Sequence, residues 1–327
     1  MIISQTPYRI SLLGGGTDFE DYYKIYGGEV IGTTINKYCY VTLRDLPPFF
    51  KHKHRFIWSK IENVNNLNQF EHPLVKSTLK YFKINNGLEV HYDGDLPGNS
   101  GIGSSSSFCV GLINAINSKN KKNISKKELS NLSYYIEKKL MKESVGRQDQ
   151  TWASYGGFNH IKFSKKNVSV SKVVIKDKIK NQLFKNLVVF FTGKSRFSNR
   201  IEKDKQLNIK KKLDLYHQIK NQVSICKKIL INQNKINDIG YLLDEYWHIK
   251  KQLSNLVSPR NIDEIYKVGK TSGALGGKLL GSGGSGFMMF YCEKKNQSKL
   301  IKSLSKLQRI NFESTNHGSR IIFNNEK

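Results

Sequence analysis

The stretch Pro97-Gly-Asn-Ser-Gly-Ile-Gly-Ser-Ser-Ser-Ser107 decides how this chain is interpreted. It follows a strand-like run over 88–92 and leads into an apolar, helix-like run over 108–116. A glycine-rich turn that enters a helix offers free backbone N–H groups and the positive end of the helix dipole to an anion. The P-loop pattern G-x-x-x-x-G-K-[ST] needs a lysine that is absent here, which excludes a Walker A loop. The stretch therefore predicts a phosphate-binding loop rather than a flexible linker.

The composition is typical of a globular protein. The chain has 327 residues, of which 38% are hydrophobic, and this length suffices for one large domain or two ordinary ones. No apolar run nears the roughly 20 residues that span a bilayer, and the first residues lack the features of a signal peptide, so we expect a cytoplasmic protein without a membrane partner. Four scattered cysteines predict buried, reduced thiols: Cys39, Cys109, Cys226 and Cys292.

The net charge of +28 raises the question of nucleic-acid binding. Most of the cationic residues are lysines, however, and they are spread along the whole chain among asparagines and isoleucines. The lysine-rich stretches 164–185 and 202–236 predict solvated surface, not a recognition stripe of arginines and aromatic residues. We therefore expect no nucleic-acid partner, with RNA binding as an alternative, and a general attraction for anionic substrates.

Strand and helix signals alternate along the chain, and runs of β-branched and aromatic residues mark the strands. Predicted strands cover 2–9, 29–35, 39–43, 56–59, 88–92, 158–163, 168–174, 187–191, 277–280, 286–291 and 320–323. Predicted helices cover 73–82, 104–118, 126–141, 198–231, 236–254, 260–272 and 296–306. A lysine-rich connection over 176–186 is the expected domain joint. The pattern predicts an α+β chain of two lobes with glycine-rich loops on both.

A second glycine-rich stretch lies near the N-terminus, Pro7-Tyr-Arg-Ile-Ser-Leu-Leu-Gly-Gly-Gly-Thr-Asp18. A strand that ends in three glycines lets a ligand approach the backbone closely, and Thr17 and Asp18 then supply polar side chains. The Asp18 carboxylate can accept hydrogen bonds from a sugar, or it can cap a helix that begins just beyond it. The two roles are compatible.

Two carboxylates stand out in the middle of the chain. Glu137 lies near the end of a predicted helix, and Asp149 follows a glycine turn in Gly146-Arg-Gln-Asp-Gln150. Carried into one cleft, one carboxylate would hold Mg²⁺ while the other would orient or deprotonate an attacking hydroxyl in phosphoryl transfer. Alternatively, Asp149 forms an ordinary ion pair with Arg147 or a neighbouring lysine.

A third stretch reads Gly273-Ala-Leu-Gly-Gly-Lys-Leu-Leu-Gly-Ser-Gly-Gly-Ser-Gly286 and is followed by an apolar run over 287–291. A bare hairpin turn needs only one or two glycines. This density predicts a loop that lies tightly against substrate or another backbone segment.

These three stretches, in this order and at these separations, resemble the three motifs of the GHMP kinases along essentially the whole chain. The resemblance implies an N-terminal, ATP-binding lobe over 1–180 with a mixed sheet and helices. It also implies a C-terminal, ferredoxin-like α/β substrate lobe over 187–327, with the active site in the cleft between the lobes. ATP and Mg²⁺ are the implied cofactors, and the partners are small molecules. A monomer and a homodimer both remain open.

The resemblance also implies residue roles. Asp149 matches the aspartate that faces the acceptor hydroxyl, and Arg9 matches the basic residue near it. Ser105 and Glu137 match the magnesium ligands. The implied ATP-phosphate ligands are Pro97, Gly101, Gly103, Ser104, Ser105, Ser106 and Ser107. The implied substrate-binding residues are Gly15, Gly16, Thr17, Asp18, Gly283 and Gly284.

The forms of these motifs narrow the substrate. Galactokinases carry Glu-His where Gly15 and Gly16 stand, so galactose is not expected. The chain resembles D-glycero-D-manno-heptose 7-phosphate kinases in its glycine-rich first motif and in the stretches 146–150, 192–196 and 276–281. The resemblance implies phosphorylation of the anomeric C1 hydroxyl, giving the 1,7-bisphosphate for heptose nucleotides and surface polysaccharide (capsule or lipopolysaccharide).

A substrate that already bears a phosphate needs cationic residues that bind this phosphate. Arg196, with Lys194 and Ser195, follows a predicted strand, and its planar fork suits two phosphate oxygens at once. Alternatively, Arg196 is a surface residue at the start of a helix. The alternatives for the whole chain are another sugar-1-kinase, acting on fucose, arabinose or an amino sugar, and a non-catalytic sensor derived from a sugar kinase.

Overall fold

The structure is a computed structural model that describes residues 1–193, 198–232 and 235–325. The first half of the chain alternates strands and helices. Its elements are β1 (Ile2–Leu13), α1 (Glu20–Tyr26), β2 (Gly28–Asp45), β3 (His54–Ile57), β4 (Ile61–Val64), α2 (Pro73–Tyr81), β5 (Leu88–Gly94), α3 (Ser104–Lys119), α4 (Lys126–Tyr135), α5 (Gln148–Tyr155), β6 (Phe158–Phe163) and β7 (Val168–Lys172).

Helices dominate the second half until the last strands. Its elements are α6 (Asp177–Lys185), β8 (Leu187–Phe191), α7 (Ser198–Leu207), α8 (Leu213–Asn232), α9 (Asp238–Gln252), α10 (Arg260–Thr271), β9 (Ala274–Leu279), β10 (Phe287–Cys292), α11 (Lys294–Ser303), β11 (Gln308–Ile310), β12 (Ser314–Thr315) and β13 (Arg320–Asn324). Short 3₁₀ turns cover Leu67–Gln69 and Lys210–Lys212, and a π-helical turn covers Ile136–Leu140.

A nine-stranded mixed sheet forms the first lobe, with the order β13-β1-β2-β5-β3-β4. Strands β12 and β6 also pair with β2, and β7 pairs with β6. Strands β3 and β5 run parallel, whereas the other pairs are antiparallel. Two strands were predicted over 29–35 and 39–43, but β2 is continuous. It has three successive partners on the side away from β1, because β6 pairs with its first residues, β12 with its middle and β5 with its last.

The second lobe contains a four-stranded antiparallel sheet with the order β11-β8-β10-β9. Strand β10 is apolar at every position and buried throughout. Met289 and Tyr291 belong to the large core shared with the first lobe, whereas Met288 and Phe290 belong to a separate core beneath α10 and α11. Because successive side chains point to opposite faces, a continuous apolar run indicates a strand covered on both sides.

The structure corrects two predictions, the extent of one helix and the nature of the lysine-rich connection. The predicted helix over 198–231 is divided into α7 and α8, with the 3₁₀ turn between them. The lysine-rich connection over 176–186 is largely a helix, α6. Its lysines face solvent while Leu183 is fully buried and Ile179 and Phe184 pack on the large core, so spacing of the apolar residues outweighs the lysine content.

The predicted two-lobed α+β fold is confirmed. Strand β13 pairs with β1 and β12 with β2, so the last described strands return to the first sheet. The lobe boundaries at 180 and 187 remain a prediction. Within the described ranges, every helix is too short or too polar to cross a membrane.

Candidate active site

The three glycine-rich stretches meet at one place between the lobes. The Arg9 backbone N–H donates to Ile102 O at 3.1 Å, and the Phe287 N–H donates to Ser100 O at 3.3 Å. Gly101 has a φ of +84°, and a Cβ there would lie 2.5 Å from Leu280 O. The close approach expected of the third stretch is thus made to the backbone of the central loop, which only glycine permits.

Helix α3 begins at this meeting point. Its N-cap is Gly103, which has a left-handed φ of 78° that suits glycine. Ser104, Ser105 and Ser106 form the first turn and line the cleft. The first N–H groups of a helix have no partner within it, so this end presents backbone donors and serine hydroxyls to the cleft.

Glu137 lies beside the start of α3, in the π-helical turn after α4. Its carboxylate accepts hydrogen bonds from the hydroxyls of Ser105 at 3.2 Å and Ser106 at 2.9 Å, and from the Gln150 side-chain amide. A π-helical turn is common at functional sites because it shifts side chains relative to a regular helix. Here it accompanies the burial of a carboxylate against the serines of the phosphate-binding loop.

The surroundings of Glu137 fit a magnesium ion. Burial raises the pKa of this carboxyl to about 7, with the charge of Asp149 acting in the same direction, while the hydrogen bonds from Gln150 and Ser106 oppose the shift. A cation would stabilise the ionised form. Magnesium prefers oxygen ligands and often takes only one or two carboxylates with substrate phosphates. Across the described residues no group of three or more His, Cys, Asp or Glu could hold a metal.

Arg9 on β1 and Asp149 in the first turn of α5 form a bidentate ion pair. The guanidinium donates from Nε to Oδ1 and from Nη2 to Oδ2, both at 2.7 Å. Its remaining nitrogen, Nη1, donates to Gly101 O at 2.6 Å. Among the described residues the ion-pair partner of Asp149 is thus Arg9 and not Arg147 or a nearby lysine, and the guanidinium joins Asp149 to the central loop.

Asp18 is buried at the end of the first motif. Its carboxylate accepts from the Gly16 N–H at 2.9 Å and from both the backbone and side-chain N–H of Gln148 at 3.1 Å. The N-cap of α1 is Phe19, without a side-chain cap, so Asp18 does not cap that helix. Burial, with the charge of Asp149, raises the pKa of Asp18 to about 6.

These groups line one open cleft with a cavity volume of about 200 Å³. The predicted residues that line it are Arg9, Gly15, Gly16, Asp18, Gly101, Gly103, Ser104, Ser105, Ser106, Glu137 and Asp149. The residues of this set come from three separate stretches of the sequence, 9–18, 101–106 and 137–149. The arrangement can bind an anion, hold a cation and orient a hydroxyl.

Five predicted residues do not line the cleft. The Thr17 hydroxyl donates to Gly14 O and Glu29 O, and that of Ser107 to Pro7 O. Pro97 O accepts from the Ser100 hydroxyl. Gly283 and Gly284 pack on Val257, so the third stretch reaches the cleft through Gly281 and Ser282 instead. Lys194, Ser195 and Arg196 fall outside the described residues.

Several cleft residues escaped the sequence analysis: Gln148, Gln150, Lys205 and Lys250. The two glutamines flank Asp149 in the sequence, and this proximity was the available signal. Lys205 lies in the stretch 202–236 that was predicted to be solvated surface, yet it is only 4% exposed. The prediction was wrong there because Glu202, three positions earlier, pairs with the ammonium at 2.7 Å.

Comparison with known proteins gives consistent matches. Residues 73–157 match the N-terminal domain of the GHMP kinases. A D-glycero-alpha-D-manno-heptose 7-phosphate kinase of Campylobacter jejuni is 32% identical over 319 residues, which cover 94% of each chain. The crystal structure of a Campylobacter jejuni protein described as a sugar kinase has a TM-score of 0.74 at 29% identity, covering 98% of this chain and 97% of that one.

The fold has further support from a D-glycero-D-manno-heptose 1-phosphate kinase structure from Bacteroides thetaiotaomicron. Its TM-score is 0.78 at 24% identity, with 98% of each chain covered. The match to the Campylobacter jejuni heptose 7-phosphate kinase runs along nearly the whole of both chains. This chain belongs to the GHMP kinases and is a phosphotransferase with an alcohol group as acceptor.

Proposed function

We propose that this kinase transfers the γ-phosphoryl group of ATP to the C1 hydroxyl of D-glycero-D-manno-heptose 7-phosphate, giving the 1,7-bisphosphate. The observation that carries the chemistry is the bidentate Arg9–Asp149 pair, tied to Gly101 of the phosphate-binding loop. The substrate rests on the similarity to a Campylobacter jejuni kinase named for that sugar phosphate. The glycine-rich motifs of this chain support the same substrate, because they resemble those of D-glycero-D-manno-heptose 7-phosphate kinases.

The donor end of the proposed site is the start of α3. Backbone N–H groups of the loop and first turn, with the hydroxyls of Ser104 and Ser106, bind the phosphates of ATP. Ser105 and Glu137 would hold Mg²⁺, which supplies positive charge to the phosphate oxygens. Preorganised donors matter here because phosphoryl transfer is accelerated chiefly by positioning and charge stabilisation.

The acceptor end is formed by Asp149, Arg9 and the first motif. Each oxygen of an ionised carboxylate has two acceptor positions, so Asp149 can accept the C1 hydroxyl while it remains bonded to Arg9. An anomeric hydroxyl is more acidic than an ordinary alcohol, so a carboxylate held close suffices to orient it and take its proton. Asp18, Gly15 and Gly16 bind the other sugar hydroxyls.

Three of the predicted residues that do not line the cleft have supporting roles in this proposal. Thr17, Ser107 and Pro97 hold the backbones of the first and central loops through the hydrogen bonds described above. The product would feed the synthesis of heptose nucleotides for surface polysaccharide. We place the enzyme in the cytoplasm, where ATP and sugar phosphates are available.

A coupled ADP-release assay with Mg²⁺·ATP tests the proposal, followed by ³¹P NMR of the product. Heptose 7-phosphate is compared with the unphosphorylated heptose, fucose, arabinose and amino sugars. We expect turnover with heptose 7-phosphate and a new anomeric phosphate signal. Preferred turnover of another sugar would identify a different sugar-1-kinase, and absence of ADP release with every sugar would favour the sensor alternative.

A further inference from the structure

One end of the cleft is built from residues outside the three motifs. Beside Asp18 the wall consists of Phe19, Glu202, Lys205, Lys250 and Leu253. Both lysines are buried, with exposures of 4% for Lys205 and 3% for Lys250. Buried lysines are rare unless their charge is paired, so the partners of these two ammonium groups decide what the wall can bind.

Lys250 on α9 has an ammonium group held only by backbone carbonyls among the described residues. It donates to Leu279 O at 2.8 Å and to Gly281 O at 2.7 Å. An ammonium has three N–H groups, so one donor remains beyond these two bonds. Lys250 and Gly281 both line the cleft, so the ammonium group lies at its wall, with the centre of the Trp247 ring 5.7 Å from the nitrogen.

A second buried lysine lies behind the first. Lys278 is 2% exposed and donates to Ser11 O at 2.9 Å and Leu12 O at 3.0 Å, with the Tyr246 ring 4.4 Å away. Burial lowers the pKa of Lys250 well below its ordinary value, and the positive charges of Lys278 and Lys205 lower it further. The charge of Glu202 opposes this shift. The charged form of Lys250 is therefore disfavoured in the empty cleft, and an anion bound beside it would favour that form.

The ion pairs of the cleft leave this charge uncompensated. Arg9 is matched by Asp149 and Lys205 by Glu202, whereas the described residues place no carboxylate in salt-bridge contact with Lys250 or Lys278. The unmatched buried carboxylates are Glu137, beside the phosphate-binding loop, and Asp18, held by Gly16 and Gln148. The cleft therefore has a carboxylate beside the central loop that would bind a cation, and a wall with lysines that would bind an anion.

We propose that Lys205 and Lys250 form a subsite for the phosphate that the acceptor sugar already carries, so that they set the preference for a phosphorylated sugar. A phosphate monoester carries about −1.5 to −2 charges at neutral pH and would stabilise the protonated form of Lys205 and Lys250, the two lysines that line this part of the cleft. Lys205 adds an N–H donor beyond the one that contacts Glu202. The inference rests on the proposed function and gives its substrate specificity a physical cause.

Binding measurements on matched variants test the subsite. Lys205→Gln and Lys250→Gln keep an N–H donor but remove the charge, and Lys203→Gln changes an exposed lysine on the same helix as Lys205. Each protein is titrated calorimetrically with heptose 7-phosphate and with unphosphorylated heptose, with Mg²⁺·ADP present to occupy the donor end. Thermal unfolding confirms that each variant is folded.

We expect each cleft variant to weaken heptose 7-phosphate binding at least tenfold while changing the affinity for unphosphorylated heptose less than twofold, and Lys203→Gln to match the wild type. Equal loss for both sugars would overturn the inference in favour of a structural role. So would a wild type that binds both sugars equally, even where it is an active sugar kinase.

A wild type that neither binds nor phosphorylates heptose 7-phosphate would refute the proposed substrate separately. The subsite is then tested with inorganic phosphate in the presence of Mg²⁺·ADP. Binding that both cleft variants weaken, and that Lys203→Gln preserves, supports the subsite. Unchanged or undetectable binding of inorganic phosphate overturns it.

Discussion

Arg9 and Asp149 are 140 positions apart in the sequence, yet two parallel hydrogen bonds of 2.7 Å join them across the cleft. The third nitrogen of the guanidinium is bonded to Gly101 O. One side chain thus links the end of β1, the start of α5 and the phosphate-binding loop. Because the guanidinium is planar, these three bonds fix the carboxylate in orientation as well as position.

Replacing Asp149 with asparagine tests its role as base. The amide keeps the size of the side chain but cannot accept the hydroxyl proton, so we expect kcat to fall by roughly 10²–10⁴ with little change in ATP affinity. Single-turnover kinetics and nucleotide titration measure the two quantities. Near-normal turnover would contradict the assignment.

Replacing Arg9 with lysine tests the geometry of the pair. A lysine keeps the positive charge but cannot make two parallel bonds to Asp149 together with a third to Gly101 O. We expect kcat to fall by about 10- to 100-fold, chiefly from misplacement of the carboxylate. Steady-state kinetics with both substrates measure this effect.

The matched control is Arg44→Lys. Arg44 forms a similar bidentate pair with Glu89, at 3.0 and 3.1 Å, on the sheet rather than among the residues that line the cleft. We expect this variant to retain the wild-type kcat. If both arginine variants lose activity equally, the loss at Arg9 reflects general destabilisation rather than catalytic geometry.

The sequence predicts best those positions where the local structure requires one type of residue. The central loop was predicted because glycines and serines directly before an apolar helix are typical of a turn that binds phosphate, and Gly101 does have a positive φ and a close backbone neighbour. Strand β10 was predicted over 286–291 from the apolar run 287–291, and the structure covers this strand on both faces.

The spacing of residues did not reveal which distant residues pair, and the expected proximity of Arg9 to Asp149 came only from the resemblance. Nothing in the spacing indicates that Arg9, rather than Arg147, pairs with Asp149. Lys250 can be buried because its ammonium group donates to two backbone carbonyls of the third stretch. Every residue has a backbone carbonyl, so the sequence does not show which ones will accept such a bond. Lysine-rich composition predicts solvated surface on average, and it fails where the fold supplies such partners.

Replacing Gly101 with alanine tests the contact between the central and third loops. The new Cβ would lie 2.5 Å from Leu280 O, and the φ of +84° is unfavourable for alanine. We expect a loss of stability of about 1–3 kcal/mol and a weaker affinity for ATP, because the loop must move. Denaturant unfolding and nucleotide titration measure the two effects.

Gly98 provides the control within the same loop. A Cβ at Gly98 meets no atom within 4 Å, so Gly98→Ala should leave both ATP affinity and stability close to those of the wild type. An equal effect of the two substitutions would mean that general loop stiffness, not contact with the third stretch, governs nucleotide binding.

The raised pKa of Glu137, about 7, predicts a pH-dependent stability of the metal-free protein. Because the folded state favours the protonated carboxyl, its contribution to stability is complete below the ordinary pKa of 4.5 and is lost as pH rises through about 7. Glu137→Gln removes this cost. We expect the variant to be more stable than the wild type at pH 8, by up to about 3 kcal/mol, and the gain to disappear at pH 4.5.

Magnesium should act in the opposite direction at the same residue. Metal binding requires the ionised carboxylate, so Mg²⁺·ATP should raise the Tm of the wild type more at pH 8 than at pH 5.5. Glu137→Gln should lose most of this pH-dependent increment, whereas Glu71→Gln, at an exposed carboxylate paired with Lys60, should keep it. Differences between proteins are compared because Asp18, whose pKa is raised to about 6, contributes its own decline in stability over the same range. An increment that is the same in all three proteins would show that magnesium does not bind at Glu137.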